Sequence, residues 1–326
     1  MPQSDHPAAF GQHTNSSMAA SIDDSNNMID VLVALQPRVL KAVDVDAVDP
    51  LAAQCAELLE QIPECFDIKS VRERMASRSD PDPLKTVLYQ ELDRYNNLLD
   101  ILHSTLATII KVTQGTASVT AELEEVMLAL SQLKVPRLWG TTYPSLKPLG
   151  GWIKDLNERV QFFSSWVDDK LPMVWWLPAM TYPTSFLTAI LQVAARANGV
   201  SIDSLSYETP VLTSSDKNTI HAYPKDGVYV SGIYLEGATW KFEGGFLEDS
   251  RPMELISNMP ILHFKPVEGK KKAPKGYYTC PLYMYPVRSG TRERPSYVVS
   301  VEIKAGQRVS PEYWVKRGVA LLLSIG

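Results

Sequence analysis

Cysteine is scarce in this chain: Cys55, Cys65 and Cys280 are the three among 326 residues. A sparse, odd set excludes a disulfide scaffold and fits a reducing compartment. Long apolar runs are absent as well, and nothing approaches the roughly 18 residues a membrane span needs. The first residues, MPQSDHPAAFGQHTNSS, lack a basic patch followed by an apolar stretch, so they do not read as a secretory signal. Positive charge is in short supply, with 32 Lys and Arg against 37 Asp and Glu, a net −5. No global basic field exists to hold nucleic acid. An intracellular, soluble protein with no membrane or nucleic-acid partner is expected.

The common catalytic signatures are missing too. A phosphate loop needs G-x-x-x-x-G-K-[ST], so that backbone amides can cradle phosphate. The one Gly-Lys pair is Gly269-Lys270, with Phe264 where the first glycine belongs and Lys271 where Ser or Thr belongs. No G-x-G occurs, which removes the dinucleotide fingerprint. No G-x-S-x-G occurs, which removes the nucleophile elbow. His6, His13, His103, His221 and His263 are scattered, and no C-x-x-C pair stands ready for zinc. No metal site, cofactor site or catalytic set is expected in this segment.

What is present is an ordinary core-forming composition, 45% apolar and 21% charged. The length allows about two domains of roughly 150 residues. Composition shifts near residue 200: residues 1–200 hold 16 basic and 24 acidic residues, and residues 201–326 hold 16 and 13. Glycines number 6 in the first part and 11 in the shorter second. The expected organisation is a helical part, 1–200, followed by a strand-rich part, 201–326.

The helical part shows clear periodicity. Between Pro83 and Thr113, Leu84, Leu88, Leu92, Tyr95, Leu99, Leu102, Leu106 and Ile109 trace one face of a long helix. Gly115 is placed to end it. A second helix carries Leu123, Val126, Met127, Leu130 and Leu133, with Glu122, Glu124 and Glu125 near its positive end, and Pro136 is its expected stop. A third runs from about Leu149 to Asp169. Others are expected over Ser21–Leu35, from Asp49-Pro50 onward, and from Pro183 to Asn198-Gly199.

The second part alternates with period two. Tyr297, Val299, Val301 and Ile303 predict a half-buried strand. Val228–Leu235 predicts another, with a bulge or close backbone approach at Gly232. Tyr277–Tyr283 predicts a third, in which Pro281 points to an edge or bulge. Val319–Ile325 is apolar nearly throughout, as in a strand buried on both faces.

Few side chains here invite chemistry. Cys280 could be a nucleophile, but a small buried residue in a strand is the favoured reading. Asp168-Asp169 and Asp23-Asp24 are adjacent, so they do not face each other on a helix. The run Lys270–Lys275 reads as an exposed loop more readily than as a binding patch. Trp166, Trp175 and Trp176, with Phe162, Phe163 and Phe186, make a dense aromatic region, and core packing is favoured over a binding patch.

Several stretches resemble one family. Phe10-Gly11-Gln12-His13-Thr14-Asn15 is similar to its F-G-x-H-x-N. Ser165-Trp166, Pro172, Trp175 and Trp176 lead into Pro183-Thr184-Ser185-Phe186-Leu187-Thr188-Ala189, similar to its tryptophan-rich stretch and P-x-x-F-L-T-A helix start. The segment from Gly227 to Trp240, with Tyr229, Gly232, Glu236 and Gly237, resembles G-V-Y-V-x-G-L-x-L-E-G-A-x-W. Tyr278-Thr279-Cys280-Pro281-Leu282-Tyr283 resembles Y-x-C-P-x-Y. Trp314-Val315-Lys316-Arg317-Gly318-Val319-Ala320-Leu321-Leu322 resembles W-x-x-R-G-V-A-L-L. In this order, the motifs resemble the C-terminal region of dynein heavy chains, the part after the sixth AAA+ module. The Met28–Pro37 and Pro286–Arg288 stretches point within the family to axonemal outer-arm chains of gamma type.

The resemblance implies an α+β fold, an N-terminal helical bundle followed by a C-terminal antiparallel incomplete β-barrel. It implies a non-catalytic cap on the AAA+ ring of an ATP-driven microtubule motor, modulating its movement. ATP and magnesium would belong to the parent motor's AAA+ modules. The partners implied are those modules and, through the parent, the microtubule. The setting implied is the cytoskeleton of a ciliary or flagellar axoneme. The motif residues then carry structural roles. The other reading is a free-standing cytoplasmic module that binds a protein or peptide.

Overall fold

The computed structural model describes residues 6–35, 50–75, 82–145, 147–168, 171–269, 273–285, 296–306 and 309–324. Two compact units result. One is Val39–Leu171; the other joins Met1–Arg38 to Pro172–Ile325. The compositional shift near residue 200 falls inside the second unit. The helix that starts at Pro183 packs on strands of that unit.

The helical unit is arranged about one long helix. Its elements are α2 (Pro50–Gln61), α3 (Ile68–Met75), α4 (Pro83–Thr113), α5 (Ala121–Ser131), α6 (Arg137–Thr142) and α7 (Leu149–Val167); α1 (Ser16–Leu35) belongs to the other unit. At the start of α4, the Asp82 carboxylate accepts from the Leu84 N–H at 2.9 Å and Pro83 supplies a preset φ. The face read from the sequence is the buried one: Leu88, Leu92, Leu99, Leu102, Leu106 and Ile109 are fully covered. Each of α2, α3, α5, α6 and α7 contacts α4. Thr120 caps α5 by accepting from Leu123. That helix ends at Ser131, well before Pro136. Leu133 takes a left-handed φ of 57°, and Lys134 N–H turns back to the Ala129 carbonyl at 2.9 Å. A local backbone closure, not the proline, terminates it.

The strand-rich unit holds α1, β1 (Val174–Trp176), α8 (Pro183–Asn198), β2 (Leu205–Glu208), β3 (Val228–Ser231), β4 (Tyr234–Glu236), β5 (Thr239–Lys241), β6 (Phe246–Glu248), β7 (Ile256–Asn258), β8 (Leu262–Glu268), β9 (Tyr277–Tyr283), β10 (Tyr297–Lys304), α9 (Pro311–Lys316) and β11 (Ala320–Leu322). The pairings make a four-stranded sheet, β1-β3-β8-β2, a five-stranded sheet, β10-β9-β11-β4-β7, and a β5-β6 ribbon. No closed barrel forms among the described residues. The sheets are not purely antiparallel either. β1 runs parallel to β3, and β11 parallel to β9. Such pairs need a crossover, and α8 lies in one connection and α9 in the other.

Two expectations for the strands change. Val228–Leu235 is not one strand. It divides at Gly232 into β3 and β4, which belong to different sheets. Gly232 has φ +82°, and a Cβ there would lie 2.6 Å from the Trp176 ring. The chain passes between sheets where only glycine fits. Pro281 is not on an edge strand, because β9 lies between β10 and β11. The β11 pairing starts at Leu282, one residue on, so the missing N–H falls outside that ladder. β11 itself is central and fully buried, as its composition predicts.

Candidate functional site

Three segments distant in sequence meet in the strand-rich unit. The short turn Pro7–Phe10 ends at Gly11, and His13 Nδ1 accepts from the Asn15 N–H at 3.1 Å. That turns Asn15 inward, to 7% exposure. Its Nδ2 donates to the carbonyls of Arg251 (2.8 Å) and Glu254 (3.0 Å), and its Oδ1 accepts from the Met253 N–H at 3.2 Å. Met253 has φ +66°, a strained value for a residue with a side chain. One amide thus fastens the N-terminal motif to a tight turn. Gly11 faces α9, where an added Cβ would touch Lys316. Phe10 remains 65% exposed beside it.

The third segment is α9 and its exit. Trp314 is buried and its indole N–H donates to the Ala305 carbonyl at 2.8 Å. Arg317 lies with its guanidinium carbon 4.8 Å from the Tyr313 ring centroid and donates to the Tyr313 hydroxyl at 2.6 Å. That hydroxyl donates to Asp249 at 2.8 Å. Burial raises the Tyr313 hydroxyl above its ordinary value, and the hydrogen bond to the Asp249 carboxylate raises it further. Gly318 then leads into β11, and Gly237 stands against the Arg317 carbonyl.

The remaining motif residues build the sheets. At Gly227 (φ +76°) an added Cβ would overlap the Phe264 carbonyl. Tyr229 packs on His263 with centroids 4.9 Å apart, and Glu236 pairs with both Ile256 and Ala320. Trp240, 6% exposed, pairs with Leu247 in the β5–β6 ribbon. Cys280 is fully buried opposite Val301, and Pro281 faces Ser300 across the ladder. A sealed thiol cannot reach a substrate, so Cys280 is a packing residue here.

The aromatic region divides between the units. In the helical unit Trp166 stacks near Phe163, with centroids 6.2 Å apart. In the strand-rich unit Trp175 meets Phe186, the residue delivered by the Pro183 start of α8, at 4.8 Å. Both pairs are buried, so they are core.

The helical unit also buries charge. Asp155 accepts from Lys147 Nζ and Arg159 Nε, each at 2.9 Å, and from the Tyr143 hydroxyl. Burial alone would raise the Asp155 carboxyl. The Arg159 guanidinium and the three donors outweigh it and hold the group below its ordinary value. Arg159 also sits 5.0 Å from the Tyr143 ring centroid. Asn15 closes the F-G-x-H-x-N stretch, but its partners Arg251 and Glu254 lie far away in sequence and no local pattern names them. The one sequence sign of the Asp155 network is the i,i+4 spacing of Asp155 and Arg159.

Among the described residues no three His, Cys, Asp or Glu side chains are placed to hold a metal ion. No helix there is long and apolar enough to cross a membrane. Among the motif residues, Gly11, Gly227, Gly232 and Gly237 take positive φ at turns or sheet crossings.

Comparison with known proteins matches residues 22–323 to the family described as the C-terminal domain of the dynein heavy chain. A relative in Chlamydomonas reinhardtii, named dynein-1-beta heavy chain of the flagellar inner arm I1 complex, is 45% identical over 328 residues, covering 100% of this chain. Human dynein axonemal heavy chain 2 is 41% identical and mouse dynein axonemal heavy chain 1 is 33% identical, each again over 100% of this chain. The chain spans only 7–8% of the length of these relatives. The outer-arm, gamma-type affinity is not carried by these names, and the algal relative is named for an inner arm. Of the stretches behind that expectation, Pro286–Arg288 lies outside the described residues.

Proposed function

Since the chain belongs to the family of dynein heavy-chain domains found at the C-terminus, we propose that it is the non-catalytic cap of an axonemal heavy chain. In this reading it packs on the AAA+ ring of an ATP-driven microtubule motor and modulates its movement. ATP and magnesium are handled by the ring modules, and the microtubule is reached through the parent motor. The family match across residues 22–323 carries the reading. The axonemal setting follows from the relatives' names. The motif residues, from Phe10 to Gly318, then act as structural positions, and the split sheets are an incomplete barrel.

The exposed face of α1 supports a covered state. Ile22, Ile29 and Leu32 stand on one side of that helix at 47%, 56% and 59% exposure. Apolar side chains grouped in this way are a usual mark of an interaction surface. Charge supports it as well: residues 265–326 hold 12 basic and 4 acidic residues, a field able to steer docking on an acidic neighbour. A cap bridging ring modules would bias which arrangement of them is favoured.

The test is removal of the residues after Gly199 from the full motor, followed by ATPase, gliding velocity and run length. A change in at least one, with the ring still folded, is the expected result. All three unchanged would leave a passive role only.

A further inference from the structure

The helical unit rests on two apolar seams that repeat themselves. On α4 the covered positions Leu88, Leu92, Tyr95, Leu99, Leu102 and Leu106 follow steps of four and three. On α7 Leu149, Ile153, Leu156, Val160, Phe163 and Val167 follow the same steps. The two helices meet, with the Tyr95 and Phe163 ring centroids 5.1 Å apart. Seams of this kind return to themselves every seven residues, so sliding one helix about 10 Å along the other again sets apolar against apolar. Leucine fills most of the α4 seam, and a uniform leucine face discriminates poorly between such settings.

Charge breaks the repeat at one level. Glu91, Asp155 and Arg159 are the charged side chains buried among the described residues, and all lie here. Glu91 and Tyr95 stand one turn apart on α4, as Asp155 and Arg159 do on α7. All three charges act on the Tyr95 hydroxyl, and Arg159 hydrogen-bonds it across the helix pair. Glu91 is paired with Arg94 at 2.9 Å. Lys147 and Tyr143, from the connection between α6 and α7, reach Asp155.

An ionic cluster of this kind adds little stability over apolar residues of similar size, because desolvation offsets the attraction. Its effect falls on the alternatives. Sliding by one repeat would set Arg159 against Leu88 or Leu102 in place of Tyr95. A buried cation would then lose its hydroxyl partner and face an aliphatic wall, which is strongly unfavourable.

We propose that this cluster is a register lock, in which Arg159 is a positioning residue that holds α7 at one level of α4. Fixing register, at a cost in stability, is the best-attested use of a buried polar group between helices. The lock concerns the helical unit alone and does not rest on the ring-cap reading.

The experiment places nitroxide labels on the 326-residue chain at Asn97→Cys of α4 and Lys154→Cys of α7, both exposed positions. Cys65→Ser removes the one partly exposed native thiol, and Cys55 and Cys280 are buried. Double electron–electron resonance then reads the distance between the labels. With the native cluster, one population is expected. The fourfold variant Tyr95→Phe/Tyr143→Phe/Asp155→Leu/Arg159→Met makes the cluster apolar and leaves Glu91 with Arg94. It should show a second, resolved population, from molecules in which α7 has slid by about 10 Å. Should that variant fail to fold, Tyr95→Phe alone removes the hydroxyl through which α4 holds Arg159, and should show a smaller second population. A single unshifted population in the folded fourfold variant, or in Tyr95→Phe where only that variant folds, would overturn the proposal. Side-chain shape would then set the register, and the charges would be an ordinary contact.

Discussion

At Asp155 three polar groups share one largely buried carboxylate, and the balance between them and desolvation decides a stability that depends on pH. Desolvation opposes the charge, while Arg159, Lys147 and Tyr143 favour it and win. A carboxyl whose folded value lies below its unfolded value adds stability at pH above the unfolded value. That contribution is lost as pH falls through the carboxylate range toward the folded value. Asp155→Asn keeps the shape but leaves Arg159, 8% exposed, without its countercharge. Breaking such a pair costs about 3–5 kcal/mol, and the retained hydrogen-bonding capacity of Asn places the expected loss near the lower figure. Thermal melts at about pH 7 and about pH 3 check this: the gap between wild type and variant should narrow at acid pH. An equal gap at both would show that the charge contributes nothing. The sequence shows Asp155 and Arg159 four apart on a helix, a spacing common on solvated faces. Their burial is set by α4 and the Tyr143 turn, which no local pattern announces.

Elements with sustained periodicity were legible, and those decided by a single residue were not. The α4 face follows directly from eight apolar positions, and Asp82-Pro83 marks its start. The division of β3 from β4 depends on Gly232 meeting Trp176, a contact between distant segments. The early end of α5 depends on Leu133 adopting a left-handed conformation. The sheet order was hidden for the same reason: pairing β11 between β4 and β9 requires long-range contacts. That placement makes β11 decisive. Ala320, Leu321 and Leu322 are fully buried, and Leu323 nearly so. Losing large buried side chains costs about 2–5 kcal/mol each, against a total stability of about 5–15 kcal/mol. A chain ending at Gly318 should therefore lose most of its strand signal in circular dichroism. The helical unit, Val39–Leu171, should keep its signal. Unchanged strand content and melting temperature would mean that β11 is peripheral.

For the whole molecule the question is whether any part of it handles nucleotide. A phosphate site needs several backbone N–H groups converging on one point, as at a glycine-rich turn opening a helix. The one sequence stretch with a Gly-Lys pair begins at Phe264, and its course is described as far as Gly269. Phe264 is fully buried against Tyr207, with ring centroids 5.4 Å apart. The residues up to Glu268 form β8, in which Leu262–Phe264 pair with β3 and Lys265–Glu268 pair with β2. Amides of an extended strand point alternately to opposite sides and cannot gather round a phosphate. Gly269 N–H is likewise committed, to the Ser204 carbonyl at 2.7 Å. Freeing them would dismantle the four-stranded sheet, a cost no single nucleotide repays. Calorimetric titration of the 326-residue chain with ATP and magnesium should therefore show no saturable heat. Binding at about micromolar strength, some 8 kcal/mol, would require a site built from other residues and would remove the ground for reading this segment as the non-catalytic part of a motor.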